Sequence, residues 1–189
     1  MSLVLALKNL LPTKANNEAL MEQYRLTQDA RLMEQLYRAC GKDLYHFLLT
    51  QTEPQQAQEI CQLSWLRVIE RRNSYRSTGS FKGWLFAIAR NLLIDELRKN
   101  NRWQTDSDVE LSADDSSDAT GDDKEALSAN LDEALRHLPF HQREAIVLQL
   151  EGFCLQEIAE ITQCEVEAIK SRLRYGKSKL KALWRQDNV

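Results

Sequence analysis

The chain has 189 residues, of which 43% are hydrophobic and 28% are charged, and its formal net charge is −3. This balance excludes a disordered chain, and no apolar run reaches the roughly eighteen residues that a membrane-spanning helix needs. Because there are only 6 glycines and 3 prolines, long helices are favoured over many short strands. We therefore predict an all-α protein without membrane insertion.

The N-terminal extension, residues 1–17, begins with the apolar stretch MSLVLALKNLLP. It lacks the basic start of a secretory signal peptide, and Lys8 interrupts the apolar run. A short amphipathic helix or a frayed extension is the better interpretation. The protein is accordingly predicted to be cytoplasmic.

Charge is distributed unevenly along the chain. Residues 104–133 contain eleven acidic residues and one lysine, a local charge of −10, which leaves +7 for the remainder. Both flanks of this segment are therefore basic. We predict two helical domains joined by an acidic, flexible linker, because the linker has too few apolar residues to offset the entropy of ordering. The first domain covers 18–103, the linker 104–126 and the second domain 127–189.

The cysteines and histidines do not suggest a metal site. No two cysteines have the C-x-x-C spacing, and the histidines do not complete a set of ligands. The chain also lacks a nucleophile–base pair and a phosphate-binding loop, so we predict no catalytic site and no cofactor. The four thiols are interpreted as reduced and mostly buried: Cys40, Cys61, Cys154 and Cys164.

Two helices are predicted early in the first domain. Asp29 is placed to cap a helix with apolar residues at three- and four-residue steps, and Gly41 can break or bend it. Pro54 stands in the first turn of a second helix, which has one apolar or small face. Further apolar residues lie off that face and predict a helix that is covered on more than one side. These are Leu63, Leu66 and Ile69.

The stretch KGWLFAIARNLLIDELRK, residues 82–99, is apolar at its start and polar along one strip near its end. Helical steps from Trp84 place an amide, a carboxylate and two guanidinium groups on one face. An asparagine amide can donate to and accept from a nucleobase edge, and arginine suits the surrounding phosphates. The strip consists of Asn91, Asp95, Arg98 and Arg102.

Aromatic and basic residues precede this helix in the segment SYRSTGSF. Rings beside cations form a stacking surface for unpaired bases, so an extruded base could stack on Tyr75 while Asn91 reads its edge. Arg76 and Phe81 complete this surface. Two structural alternatives stay open: Phe81 can equally belong to the core, and Asn91 can merely cap a neighbouring loop.

The second domain begins with a helix whose first turn suits Pro139 and whose end suits Gly152. Its core face is predicted to include Ala145, Ile146, Leu148, Gln149 and Leu150.

Leu155 to Arg174 has the pattern of a helix-turn-helix, with a break near residues 162–164. Seven basic residues and no acidic one follow between Lys170 and Arg185. Such side chains can bind guanine edges and neutralise phosphates. A solvated cationic face on a terminal helix is the structural alternative, but the helix-turn-helix pattern favours DNA binding.

Four segments together resemble bacterial RNA polymerase sigma factors: QQAQEICQLSWLRVIE, GSFKGWLFAIARNLLIDELRK, LPFHQREAIVLQLEGF and LQEIAEITQCEVEAIKSRL. The size and two-domain build are similar to the extracytoplasmic-function (ECF) group of the sigma-70 family. The resemblance implies that the first domain is sigma region 2, which binds core polymerase and opens and reads the −10 promoter element. It implies that the second domain is region 4, which reads the −35 element.

The residue pattern and the resemblance together predict three binding surfaces. The −10 surface consists of Tyr75, Arg76, Phe81, Asn91, Asp95, Arg98, Lys99 and Arg102. The −35 surface consists of Lys170, Ser171, Arg172, Arg174, Tyr175 and Lys177. The polymerase-docking surface consists of Gln58, Glu59, Ile60 and Gln62.

Three features depart from the family pattern. The docking helix carries glutamines where several acids are usual, and Leu63 stands where an acid is common. Gln163 occupies a turn position where Gly or Asp often adopts the left-handed conformation. Tyr175 and Gly176 replace the usual Arg-Ala pair after the reading helix.

The resemblance implies three partners, which are core RNA polymerase, promoter DNA and an anti-sigma protein. It also suggests that the acidic linker threads the RNA-exit region of the polymerase. A stand-alone helix-turn-helix regulator is the alternative function, but it gives no role to Tyr75, Asn91 or the docking helix. A helical enzyme would need convergent catalytic groups, and a purely protein-binding adaptor would retain its function without Asn91 or Arg172.

Overall fold

The computed structural model describes residues 14–76, 79–99 and 133–186, with side chains between 17 and 183 in those ranges. Regular structure in these ranges is helical, so the all-α prediction is confirmed. The predicted linker, Arg102 and residues 1–13 lie outside the described residues. The helices are α1 (Lys14–Thr27), α2 (Ala30–Leu49), α3 (Pro54–Glu70), α4 (Phe81–Lys99), α5 (Phe140–Leu150), α6 (Leu155–Thr162) and α7 (Val166–Gln186), with a 3₁₀ turn at Arg72–Ser74.

Helices α1 to α4 form the first module, and its boundaries follow from local chemistry. The Asp29 side chain accepts a hydrogen bond from the Arg31 amide at 2.9 Å, as the capping pattern predicted. Pro54 opens α3, where its missing N–H costs nothing. Of the break or bend predicted at Gly41, the break is wrong, because α2 continues through this residue. Gly41 is instead buried where α2 packs, with the Tyr37 ring 3.4 Å from the position of an added Cβ.

Helix α3 is covered on one side only. Its predicted apolar or small face is buried, with Ala57 and Val68 fully so. The prediction that it is covered on more than one side is wrong. Leu63, Leu66 and Ile69 are 47%, 53% and 37% exposed. An apolar ridge on a helix surface therefore faces solvent.

Helices α5 to α7 form the second module with a short helical turn at 133–136. Ala145, Ile146 and Leu148 are buried as predicted, but Leu150 is 61% exposed, so its assignment to the core is wrong. The buried side of α5 instead includes Glu144. The buried face of α5 is therefore rotated from the predicted one, and it places Glu144 at the contact with Arg90 of the first module.

The helix-turn-helix is formed by α6 and α7, with the turn where the sequence predicted it. Gln163 adopts the left-handed conformation with a φ of 55°. The Cys164 amide then donates to the Ala159 carbonyl at 3.0 Å, which closes the end of α6. Gly176 lets α7 cross α5 closely, since an added Cβ would lie 2.6 Å from Ile146 Cδ1.

The described cysteines are all free. Cys40 and Cys61 are buried, whereas Cys154 is exposed and Cys164 is half-buried, so only part of the set is buried as predicted. Burial raises the pKa of Cys40 to about 11, which keeps this thiol protonated at neutral pH. Among the helices in the described ranges, none is long and apolar enough to cross a membrane.

Candidate nucleic-acid interface

The polar strip on α4 lies on the protein surface. Asn91, Asp95, Arg98 and Lys99 are exposed, while Ile88 on the same helix is buried. Steps of four and three residues bring Asn91, Asp95 and Arg98 into one line along the helix. The apolar side of α4 fixes this line in place because it is packed into the first module. An amide, a carboxylate and basic groups are thus presented together on a rigid element.

The aromatic rings before α4 are packed inward. Tyr75 is 4% exposed and Phe81 is fully buried. The Tyr75 ring centroid lies 5.2 Å from that of Trp84 and 6.0 Å from that of Phe81. Arg76 alone of the predicted residues in this segment is exposed. The rings therefore support the start of α4 in this arrangement, and base stacking on them requires them to leave that packing.

The Tyr75 hydroxyl has an unusual environment. It is buried and has no hydrogen-bond partner among the described residues. Burial, reinforced by the carboxylates of Glu18 and Glu22, raises the pKa of Tyr75 to about 12. A buried hydroxyl without a partner lowers stability, and a buried phenolate beside two carboxylates would lower it further, so the folded state favours the neutral hydroxyl.

We expect Tyr75 to make stability fall between about pH 10 and pH 12. The unfolded tyrosine ionises near pH 10 and the folded one near 12, so its contribution is intact below pH 10 and is lost as the pH rises through the folded pKa. Over this window, chemical denaturation should show that wild type loses on the order of 2 kcal/mol more than Tyr75→Phe. Tyr45→Phe, which removes an exposed hydroxyl, is the control. Equal losses in wild type and Tyr75→Phe would contradict this assignment.

Helix α7 presents a basic surface on the second module. Lys170, Ser171, Arg174, Tyr175 and Lys177 are exposed. Buried Ile169 and Leu173 hold the helix against α5 and α6, so the basic side faces outward.

Two details on α7 affect how it can bind DNA. The Arg174 guanidinium lies over the Tyr175 ring, 4.9 Å from its centroid, and donates a hydrogen bond to the Tyr175 hydroxyl at 3.2 Å. This stacking holds a cation in a fixed orientation. Arg172 is half-buried, and its Nη1 has no partner among the described residues. This nitrogen is buried, so a bond from it to DNA requires the side chain to leave its buried position.

The predicted docking residues divide between surface and core. Gln58, Glu59 and Gln62 are exposed on α3, whereas Ile60 is 2% exposed and faces the core. The sequence pattern alone does not identify Leu63 and Leu66 as surface residues, although Leu63 stands where an acid is common in the family. The exposed side of α3 is therefore more apolar than the family pattern predicted.

Sequence reasoning also missed Arg90, which precedes Asn91 on α4. Its side chain is 9% exposed, and its Nε donates to Glu144 Oε1 at 2.6 Å. Glu144 belongs to the second module, so this ion pair joins the two modules beside the polar strip. A lone arginine within an apolar stretch was the available signal, but its partner lies 54 residues away.

Comparison with known proteins identifies both modules. The profile of Sigma-70 region 2 matches residues 36–103, and that of Sigma-70, region 4 matches residues 128–180. The ECF RNA polymerase sigma factor EcfG of Rhodopseudomonas palustris is 34% identical over 133 residues, which cover 67% of this chain and 70% of EcfG. SigM of Bacillus subtilis, also an ECF sigma factor, is 30% identical and covers 80% of this chain and 94% of its own.

The chain belongs to the ECF group of the sigma-70 family.

A solved structure agrees with this assignment. The sigma factor RpoE of Bartonella quintana, determined in complex with the anti-sigma factor NepR, superposes with a TM-score of 0.64 at 26% identity. The superposition covers 80% of this chain and 96% of RpoE. The sigma factor is thus a promoter-specific transcription initiation factor. The stand-alone regulator is not favoured, because region 2 occupies a large part of the chain.

Proposed function

We propose that residues 18–103 bind core RNA polymerase and open and read the −10 element, and that residues 127–189 read the −35 element. The acidic segment 104–126 joins the two. The observation that carries this proposal is the pair of exposed polar faces on α4 and α7, each on a helix whose other side is packed. Such faces hold recognition groups in fixed positions without the cost of ordering a loop.

At the −10 element, the strip on α4 captures bases that have left the duplex. The Asn91 amide pairs with the edge of an extruded base, and Arg98 and Lys99 neutralise the neighbouring phosphates, with Arg76 beside them. Tyr75 and Phe81 stack on the extruded base after their rings have left their packed positions. Unstacking a base costs a few kcal/mol, and pairing with stacking returns a similar amount, so capture shifts the duplex towards the open form.

At the −35 element, α7 enters the major groove. Arg172 and Lys170 read base edges, while Arg174, Ser171 and Lys177 bind phosphates. Tyr175 supports Arg174 by stacking. Binding to this element depends on salt because phosphate neutralisation releases counterions.

Polymerase docking uses the exposed side of α3. Gln58, Glu59 and Gln62 supply hydrogen bonds, and the neighbouring Leu63 and Leu66 supply apolar contact. Polar groups around an apolar centre are the usual composition of a protein interface. Ile60 supports this side from the core.

The sigma factor is further proposed to act in the cytoplasm, without a catalytic site of its own. The structure of RpoE supports a proposal on regulation, because RpoE was determined with the anti-sigma factor NepR. We extend this to a third partner, an anti-sigma protein that holds the factor inactive.

Run-off transcription tests the proposal directly. Core polymerase with this chain and a genomic fragment library should start at defined positions, and sequencing the transcripts gives the promoter.

On that promoter, Asn91→Ala should reduce the number of open complexes by a factor of about ten or more, because the extruded base loses its hydrogen-bonding partner. Permanganate reactivity of unpaired thymines measures the open form. Gln35→Ala, which removes an exposed amide on α2, is the control. Absence of defined starts, or normal opening by Asn91→Ala, would refute the assignment.

A further inference from the structure

The two modules are joined by a buried ion pair. Arg90 on α4 forms two contacts with Glu144 on α5, at 2.6 Å to Oε1 and 3.4 Å to Oε2. The Glu144 side chain is 0% exposed and that of Arg90 is 9% exposed. Such a pair is stable only while both partners stay together, since either one alone would be a buried, uncompensated charge.

A second group of polar contacts lies along the same boundary. Lys82 Nζ lies 2.5 Å from Asp43 Oδ2 within the first module and donates to the Glu151 carbonyl oxygen at 3.0 Å. His46 Nδ1 lies 2.9 Å from Glu151 Oε1. Glu144 and Glu151 are seven residues apart, two helical turns, so both acids face α4. The complementary cations, Lys82 and Arg90, are both on α4.

An apolar contact completes the boundary. The ring centroids of Phe86 and Phe153 are 4.9 Å apart in an edge-to-face arrangement, and both rings are buried. Phe86 also packs on Phe47 of α2 at 5.4 Å. The boundary thus combines a desolvated apolar centre with matched charges, which is the composition of a specific interface.

This packed arrangement does not fit a promoter. The −10 and −35 elements lie roughly 25 base pairs apart, about two and a half helical turns or 85 Å. A compact chain of this length has a radius of gyration of only about 16 Å. The −10 strip and α7 therefore cannot reach both elements while Arg90 and Glu144 remain paired. The modules must separate before the factor engages a whole promoter.

We propose that the Arg90–Glu144 pair is a latch that keeps the free sigma factor closed and limits its association with polymerase. This inference rests on the proposed function. The docking side of α3 is exposed in the closed form, but a polymerase that presents both modules to a whole promoter must hold them apart, so full docking needs the open form. The apparent affinity for polymerase is therefore reduced by the fraction of molecules that are open. The latch makes that fraction small, because opening breaks the contacts between Arg90 and Glu144. Weakening the latch therefore strengthens association.

The test uses the full chain with Glu144→Gln, which keeps the shape of the side chain and removes its charge. Small-angle X-ray scattering on the free protein should show a radius of gyration larger by several ångströms than in wild type. Binding to core polymerase without DNA should tighten roughly tenfold. Arg90→Met with Glu144→Met replaces the pair by apolar groups of similar size, and this double variant should stay closed and bind no more tightly than wild type.

The control is Glu34→Gln, which removes an exposed ion pair with Arg38 within α2 and should change neither measurement. Unchanged scattering for Glu144→Gln with native circular dichroism overturns the latch. Expansion without tighter polymerase binding overturns its regulatory role. If Glu144→Gln loses helicity, Lys82→Met takes its place with the same expectations. Scattering needs no polymerase, and run-off transcription by wild type is read separately, so failure of the latch is distinguishable from failure of the proposed function.

Discussion

We expect the double variant Leu63→Asp, Leu66→Asp to lose roughly 100-fold in affinity for core RNA polymerase while it keeps its fold. The two leucines are 47% and 53% exposed on α3, so aspartate at these positions faces water and leaves the core intact. In the complex each leucine would be desolvated, a contribution of about 1.5–3 kcal/mol when burial is complete. A buried carboxylate in its place would add a penalty.

Surface plasmon resonance with immobilised core polymerase measures this loss, and thermal unfolding checks the fold. Leu26→Asp is the matched control, because Leu26 is 68% exposed on α1. It should bind polymerase as wild type does. An equal loss in both variants would indicate a general effect of charge, and no loss in either would place docking elsewhere on the molecule.

In holoenzyme, Arg172→Ala should weaken binding to the −35 duplex roughly 10- to 100-fold and relax the preference at one base pair. Arg172 is half-buried, so its side chain is partly fixed before DNA arrives, and its buried Nη1 has no partner among the described residues whose loss would oppose a new bond. Pre-positioning limits the entropy lost on binding, which makes a single contact stronger.

Lys177→Ala provides the contrast with Arg172→Ala. Lys177 is exposed on α7, and a phosphate contact there carries no sequence information. Its loss should weaken all duplexes alike and reduce the slope of log K against log salt by about one. Fluorescence anisotropy across a salt series, with single-base variants of the duplex, separates the two patterns. Arg38→Ala on α2 should leave binding unchanged. Uniform weakening by Arg172→Ala would contradict base reading by this residue.

The local features were predictable because they depend on neighbours in the chain. The cap at Asp29, the start of α3 at Pro54 and the left-handed turn at Gln163 each need only a few adjacent residues. The break expected at Gly41 does not occur. Glycine is unfavourable within a helix, but the close packing of the Tyr37 ring against this position of α2 offsets that preference.

Periodicity identified buried faces less well than helices. It gave α5 correctly but placed Leu150 in the core and overlooked Glu144. It also treated Leu63 and Leu66 as covered, because an apolar residue on a helix looks the same in sequence whether its partner is the same chain or another protein. Which side of a helix is covered depends on the elements that pack against it.

The sequence by itself determined the helical class, the two helical modules with an acidic segment between them, the helix-turn-helix and the resemblance to sigma factors, since each of these depends on residues that are close together in the chain. Only the tertiary structure decided that Tyr75 packs inward, that Leu63 and Leu66 face solvent and that Arg90 pairs with Glu144 across 54 positions. The physical reason is that burial and ion pairing are properties of surfaces brought together by folding, and no local pattern specifies a partner that lies far away in the chain.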